Sequence, residues 1–129
     1  MKAPDDTNRL PGAAIGHVVL QVSKLPKSVD FYRALGLRLV STTEQLAILE
    51  LRGGTHLLLF PSKKRKNNQA GFDLIVKNLG KHHKKLTSLG FELSPIRNDE
   101  RSGHDMFDVR DPDGLSINIL SDHTEGRPV

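Results

Sequence analysis

Apolar positions along the chain form short runs of strand length and one longer helical pattern in each half. The first run, 15–22, is β-branched and predicts a strand. In 25–36 apolar residues recur at helical spacing, and Pro26 suits a first helical turn because its missing N–H is not needed there. Gly36 predicts the end of this helix. Three more strands are predicted at 37–42, 45–51 and 55–60.

The second half of the chain repeats this order of elements. The segment Val22–Leu25 matches Val76–Leu79, and the Leu-Gly pair that ends the first helix recurs at Leu89–Gly90. The repeat predicts two βαβββ modules, the second with an insertion in the polar loop 98–103. The elements expected in it are a strand at 72–76, a helix at 79–89, and strands at 91–97, 104–110 and 115–120.

The two modules are expected to form one domain of the α+β class. A single module has roughly 50 residues and would have a thin core and an open sheet. We therefore expect the two sheets to lie side by side as a half-open barrel, with the helices outside and the inward strand positions lining one cavity. The boundaries are an N-terminal tail 1–12, a domain 13–123 with module one 13–60, linker 61–70 and module two 71–121, and a C-terminal tail 124–129.

Composition and charge exclude several classes of protein. The absence of cysteine excludes disulfides, thiolate metal sites and a cysteine nucleophile. The net charge of +4 comes largely from 63–66 and from the lysines in 81–85, and neither group is interleaved with aromatic residues, so no nucleic-acid partner is expected. The longest apolar run, 57–61, is far below the ~20 residues of a membrane span, and the polar N-terminus lacks a signal core. We expect a cytoplasmic protein without a membrane partner.

Three motifs together carry a family resemblance. They are Gly16-His17-Val18-Val19-Leu20-Gln21-Val22, Asp30-Phe31-Tyr32 with Leu35-Gly36 behind it, and Asp111-Pro112-Asp113-Gly114. With them, residues 13–121 resemble the vicinal oxygen chelate superfamily, which includes glyoxalase I, extradiol dioxygenases, fosfomycin-resistance enzymes and bleomycin-resistance proteins. Phe31 and Tyr32 are expected to plug the helix against the sheet. Asp111 is expected to accept backbone hydrogen bonds in a turn.

The resemblance also implies four metal-ligand positions, one on each of four inward strands, usually two histidines and two carboxylates. Such N and O donors suit Zn, Fe, Mn or Ni. The first position falls on His17, whereas the others fall on Gly71, Leu58 and Asn118. These residues cannot supply three ligands, so no metal cofactor is expected. One alternative is a single divalent ion at a shifted site of His17, His56 and Asp73, which keep the inward parity.

Within the resemblance, the favoured function is metal-independent binding of a small organic molecule by a homodimer, as in bleomycin-resistance-type proteins. The alternative is a glyoxalase-like lyase or isomerase, or a dioxygenase-like enzyme, with a relocated metal or with His17 as general base. The sequence leaves open whether any reaction is catalysed. His82 and His83 are expected to face solvent, and His104 to lie at the cavity mouth. The residues expected to line the cavity are His17, Val19, Gln21, His56, Leu58, Asp73, His104 and Asn118.

Overall fold

The computed structural model describes residues 8–64 and 69–122. The first seven residues of the predicted N-terminal tail, residues 65–68 of the predicted linker, and His123 with the C-terminal tail lie outside the described residues. None of the helices in the described ranges is long and apolar enough to cross a bilayer.

Ten elements follow one another as βαβββ twice, as the repeat predicts. A short turn of 3-10 helix at Arg52–Gly54 joins the third and fourth strands. The elements are β1 (His17–Val22), α1 (Leu25–Ala34), β2 (Arg38–Thr42), β3 (Ala47–Glu50), β4 (His56–Pro61), β5 (Gln69–Val76), α2 (Leu79–Ser88), β6 (Arg97–Asn98), β7 (Asp105–Arg110) and β8 (Ser116–Ser121).

The strands form two four-stranded mixed sheets with the same topology. Sheet one has the order β1-β4-β3-β2 and sheet two the order β5-β8-β7-β6. The pairs β1/β4 and β5/β8 are parallel, and the remaining pairs are antiparallel. This arrangement confirms the predicted α+β class and the two-module fold, in which the sheets are not closed into a barrel. β1 and β5 are each an edge strand of their sheet.

Glycines end both helices where the sequence predicts. Gly36 follows α1 with φ +114° and Gly90 follows α2 with φ +86°, which L side chains rarely adopt. Asn78 begins α2, and its Oδ1 accepts a hydrogen bond of 3.2 Å from the backbone N–H of Lys81. The glycine stops and the polar cap therefore set the helix lengths.

The predicted strand at 91–97 is wrong for most of its length. Only Leu93 forms an isolated bridge, to Val109, and regular pairing begins at β6. Pro95 has no N–H to donate to a ladder, so the pairing with β7 is interrupted there. The segment still follows β7, because the backbone N–H of Ser94 donates to the carbonyl of Asp108 at 2.9 Å.

One hydrophobic core serves both modules, and α1 lies within it. Phe31 and Tyr32 are 1% and 0% exposed, which confirms that they plug the helix against the sheet. Phe31 also packs edge-to-face on Phe91 at a centroid distance of 4.9 Å, next to the segment that follows β7. α1 therefore contacts module two at Phe91 while it packs on β2, β3 and β4 of sheet one.

The turn between β7 and β8 joins the modules by hydrogen bonds. The Tyr32 hydroxyl donates to Asp111 Oδ2 at 2.9 Å, and Asp111 Oδ1 accepts from the backbone N–H groups of Asp113 and Leu115 at 2.8 Å each. The Asp113 carboxylate accepts from the N–H of Ser23 at 3.0 Å and from its hydroxyl. Burial of Tyr32, and then the charge of Asp111, raises the pKa of the phenol above its ordinary value. The predicted turn role of Asp111 is confirmed.

Candidate functional site

The face of sheet one that points away from the core is open and has apolar side chains at its centre. Val19 is 57% exposed, although valine in the middle of a strand is normally covered. Its neighbours across the sheet are Leu58 on β4 and, beyond it, Ile48 on β3. We call this surface the first open face. Its residues include His17, Val19, Gln21, Ile48, Glu50, His56, Leu58 and Phe60.

A row of polar side chains crosses the first open face at the start of β1. His17 pairs in register with His56, and their rings meet edge-to-face at a centroid distance of 6.0 Å. His56 in turn pairs with Glu50, which forms an ion pair with Arg38. The hydrogen bond from Arg38 lowers the pKa of the Glu50 carboxyl. This end of the face can therefore contact polar groups of a ligand.

The corresponding face of sheet two is polar at its centre. Asp73 on β5 pairs in register with Asn118 on β8, and Asn118 pairs with Asp108 on β7. The Arg97 guanidinium lies 3.3 Å from Asp108 Oδ1. We call this surface the second open face. By the sequence repeat, its central row corresponds to Val19, Leu58 and Ile48 of the first open face, so equivalent positions are polar in one module and apolar in the other.

The structure brings most of the predicted lining residues onto these two faces. His17, Val19, Gln21, His56 and Leu58 share the first open face, and Asp73 and Asn118 share the second. Within one chain they form two surfaces, because the buried faces of both sheets belong to one core.

His104 is not at a rim, which corrects its predicted place. It is 8% exposed, and its Nδ1 lies 2.7 Å from the carbonyl oxygen of Ser121. The polar insertion loop before it suggested exposure, whereas hydrogen bonding to β8 draws the ring inward. His104 is therefore left out of the site.

The residues at the family's metal-ligand positions do not fit a metal. Gly71 and Leu58 have no donor atoms, and Asn118 lies beside Asp73 on a different sheet from His17. In residues 8–64 and 69–122, no three His, Asp or Glu side chains come together as a possible metal site. The shifted set of His17, His56 and Asp73 is consequently not assembled within one chain.

The histidine pair on α2 is less exposed than expected. His83 is half-buried: its ring packs edge-to-face on Phe107 at 4.9 Å, and its Nε2 lies 2.9 Å from the Ser94 carbonyl oxygen. Burial, followed by the nearby charges of Lys85 and Lys81, lowers the pKa of His82. The expectation that both rings face solvent is wrong. The neighbouring lysines in the sequence suggested an exposed helix surface, whereas both rings are partly buried.

A cleft between the two modules was not anticipated from the sequence. It has a volume of about 610 Å³ and lies between β1 and the turn before β4 on one side and β5 on the other. Ile15 and Arg52 line it from module one, and Phe72, Asp73 and Asp122 line it from module two. We call it the intermodule cleft. Because it depends on how the modules pack, no local pattern could indicate it.

Comparison with known proteins identifies the family. Residues 14–119 match the model of the Glyoxalase/Bleomycin resistance protein/Dioxygenase superfamily, so the chain belongs to that superfamily. A search of curated protein sequences found no match.

Solved structures share the fold at low sequence identity. A member of this superfamily from Sphaerobacter thermophilus DSM 20745 has a TM-score of 0.73 and 21% identity, over 85% of this chain and 98% of that one. A bleomycin-binding protein in complex with bleomycin has a TM-score of 0.65 and 19% identity, over 86% and 99%. A fosfomycin resistance protein from Listeria monocytogenes has a TM-score of 0.71 and 14% identity, over 90% and 98%. These similarities show the fold, which hosts more than one function.

Proposed function

We propose that the chain is a small-molecule-binding protein of the bleomycin-resistance type, which takes its ligand without a protein-bound metal. The observation that carries this proposal is the first open face, where Val19 is exposed next to Leu58 in the middle of a sheet. A contiguous apolar surface of this kind marks a binding site. The same face holds a family ligand position occupied by leucine, which favours apolar contact over coordination.

The proposal includes a homodimer that encloses the ligand. Each chain has one open face with an apolar central row and one with a polar central row, and both point away from its own core. A two-fold pair can bring the first open face of one copy against the second open face of its partner, and the same contact is then repeated by symmetry. Two equivalent cavities result, each with walls from both copies.

The two walls determine the chemistry of the ligand. Val19, Leu58 and Ile48 would pack against a flat organic ring system, and Asn118 and Asp73 would accept hydrogen bonds from its other side. A bleomycin-binding protein has the same fold, which supports an organic molecule with both ring systems and hydrogen-bond donors. A cytoplasmic location stays a prediction.

The test combines molecular mass with binding. Light scattering after gel filtration should give twice the 14.3 kDa of one chain. Metal-free bleomycin and a panel of aromatic drugs should raise the melting temperature by mass action. Leu58→Arg should abolish the shift caused by any hit, whereas Leu89→Arg, at an exposed position that ends α2 and lies on neither open face, should keep it.

Two results would contradict the proposal. One is a protein that is still monomeric when it binds a hit, at a ligand concentration far above the dissociation constant of that ligand. The other is stoichiometric Ni, Zn, Mn or Fe in the purified protein that is lost in His17→Ala.

A second candidate function is catalysis with His17 as general base. The observation in its favour is that a second imidazole, His56, lies next to His17 on the same open face, with the ring centroids 6.0 Å apart. If this is correct, turnover of a bound ligand should be lost in His17→Gln, while binding of that ligand is kept. Binding without turnover leaves the binding protein as the function.

A further inference from the structure

The β7–β8 turn contains a dipeptide that can rearrange without an enzyme. Asp113–Gly114 is the only Asp-Gly dipeptide in the chain, and the sequence has no Asn-Gly dipeptide. In such a dipeptide the backbone nitrogen of the glycine can attack the side-chain carboxyl group of the preceding aspartate. Glycine hinders this attack least, because it has no Cβ. Among the aspartates of the chain, Asp113 therefore has the least hindered neighbour.

The rearrangement takes place in two steps that need only water. In the first step the Gly114 nitrogen bonds to Cγ of Asp113, and the proton of that nitrogen and the hydroxyl of the carboxyl group leave together as water. The product is a five-membered succinimide ring. In the second step one water molecule adds to a ring carbonyl carbon, and the C–N bond at that carbon breaks. Opening at the original main-chain carbonyl gives isoaspartate, in which the main chain runs through Cβ and Cγ.

The folded turn holds both reacting groups in hydrogen bonds. The Gly114 N–H donates to the carbonyl oxygen of Asp111 at 2.9 Å, which fixes the attacking nitrogen in the turn. Both oxygens of the Asp113 carboxylate accept hydrogen bonds from Ser23, one from its backbone N–H at 3.0 Å and the other from its hydroxyl. Because Ser23 belongs to module one, the carboxylate is held by the other half of the chain. Attack requires the release of both groups.

The turn is anchored to module one at a second point. Asp111 Oδ2 accepts a hydrogen bond of 2.9 Å from the Tyr32 hydroxyl. We call the contacts of Ser23 and Tyr32 with Asp113 and Asp111 the module junction. Asp113 and Gly114 are only half-buried, so water reaches them when the junction opens. Such a local opening costs less free energy than unfolding of the whole chain.

We infer that Asp113–Gly114 is a site of spontaneous isoaspartate formation, and that opening of the module junction sets its rate. While Ser23 and Tyr32 hold the turn, the rearrangement is slow. When the junction opens, the carboxyl group and the nitrogen are released together. The product cannot restore the junction, because its main chain is one atom longer at residue 113 and its carboxylate is attached to a different carbon. Modified molecules therefore keep a weakened contact between the modules.

Incubation of the full chain at neutral pH, in water labelled with heavy oxygen, tests the inference. Each molecule that passes through the succinimide takes up one labelled oxygen, and tryptic digestion with mass spectrometry measures the uptake. Electron-transfer fragmentation then distinguishes isoaspartate from aspartate at residue 113. The tryptic peptide 111–129, incubated by itself, gives the rate without a folded turn. We expect the folded chain to convert at least about tenfold more slowly than this peptide.

Three variants separate the module junction from overall stability. Ser23→Ala removes the hydroxyl bond to Asp113, and Tyr32→Phe removes the bond to Asp111. Each should speed the conversion by about threefold to tenfold, because the junction opens more often. Gly90→Ala is the control, since it strains a backbone position at the end of α2, outside the junction, and should change the rate less than about twofold. Far-UV circular dichroism checks that all three variants fold.

Four results would overturn the inference. Two of them are a folded chain that converts as fast as the peptide, and the absence of isoaspartate at residue 113 from both. The third is an unchanged rate in Ser23→Ala or in Tyr32→Phe, because the module junction then does not control the reaction. The fourth is an equal acceleration by Gly90→Ala, because the rate then follows the stability of the whole chain.

Discussion

Replacing Tyr32 with phenylalanine tests how the two modules are held together. The substitution keeps the buried ring and removes only the hydroxyl that donates to Asp111 across the module boundary. Asp111 keeps the two backbone N–H groups that bind its other oxygen at 2.8 Å. The variant should therefore fold normally and lose one charge-assisted hydrogen bond.

The loss should be about 2 kcal/mol in the free energy of unfolding. A hydrogen bond to a charged group contributes roughly 1.5–3 kcal/mol. With a urea dependence of about 2 kcal/mol per molar, the unfolding midpoint should fall by about 1 M. Ser23→Ala is the matched control. It removes the exposed hydrogen bond from the Ser23 hydroxyl to Asp113, which also joins the modules. The free energy of unfolding should fall by no more than about 1 kcal/mol.

The same substitution should change how stability depends on pH. Burial and the charge of Asp111 raise the pKa of Tyr32 in the folded protein, whereas an unfolded tyrosine titrates near pH 10. The folded state thus keeps a proton that the unfolded state releases above pH 10. The stabilisation is complete below pH 10 and is lost at about 1.4 kcal/mol per pH unit above it. Tyr32→Phe should lack this extra loss.

The assays are urea unfolding followed by far-UV circular dichroism at pH 7 and pH 11, and absorbance at 295 nm during alkaline titration. Tyr32 is the only tyrosine and the chain has no tryptophan, so phenolate absorbance reports this residue alone. It should appear only as the protein unfolds. Equal midpoints for the wild type and Tyr32→Phe, or a phenolate that forms near pH 10 in a chain with native circular dichroism, would refute the reasoning.

Further predictions concern the second helix. Gly90→Ala places a side chain at φ +86° and should cost about 1–2 kcal/mol, whereas Gly80→Ala, in α2 with open space at the added Cβ, should gain up to about 1 kcal/mol. Leu86→Ala should cost about 2–5 kcal/mol because Leu86 is 0% exposed, and Leu89→Ala, at a 54% exposed position, should stay within about 0.5 kcal/mol. Urea unfolding at pH 7 measures all four, and a reversed order within either pair would contradict the assigned backbone geometry or burial.

Hydrophobic periodicity predicted the modules because it reports which residues share a face. Leu57 and Leu59 are buried and Leu58 lies on the opposite side of β4, as strict alternation requires. The same periodicity could not tell which side of α1 meets the second module, because that depends on long-range packing. The prediction of a strand at 91–97 was wrong for a local reason. Pro95 has no N–H to donate to a neighbouring strand, and this proline is visible in the sequence.

The sequence could predict which candidate-site residues share a face within one sheet, but not how the faces of the two sheets are arranged. Parity placed His17 and Val19 on one face, and it could not show that Asp73 belongs to a second surface pointing away from the shared core. The burial of His83 could have been found, since it occupies the same helical stripe as Leu79 and Leu86. The burial of His104 has no such signal, because its partner is a backbone carbonyl on another strand.

In the hydrogen bonds described above between the β7–β8 turn and module one, the donor always belongs to the same module. Module one supplies the donors, Ser23 and Tyr32, and module two supplies the acceptors, Asp111 and Asp113. At the matching positions of the repeat, module one has Leu51 and Gly53 in place of the acids, and module two has Lys77 and Leu86 in place of the donors. Two copies of the same half could not make this junction. The halves therefore form a heterotypic pair, in which neither can substitute for the other.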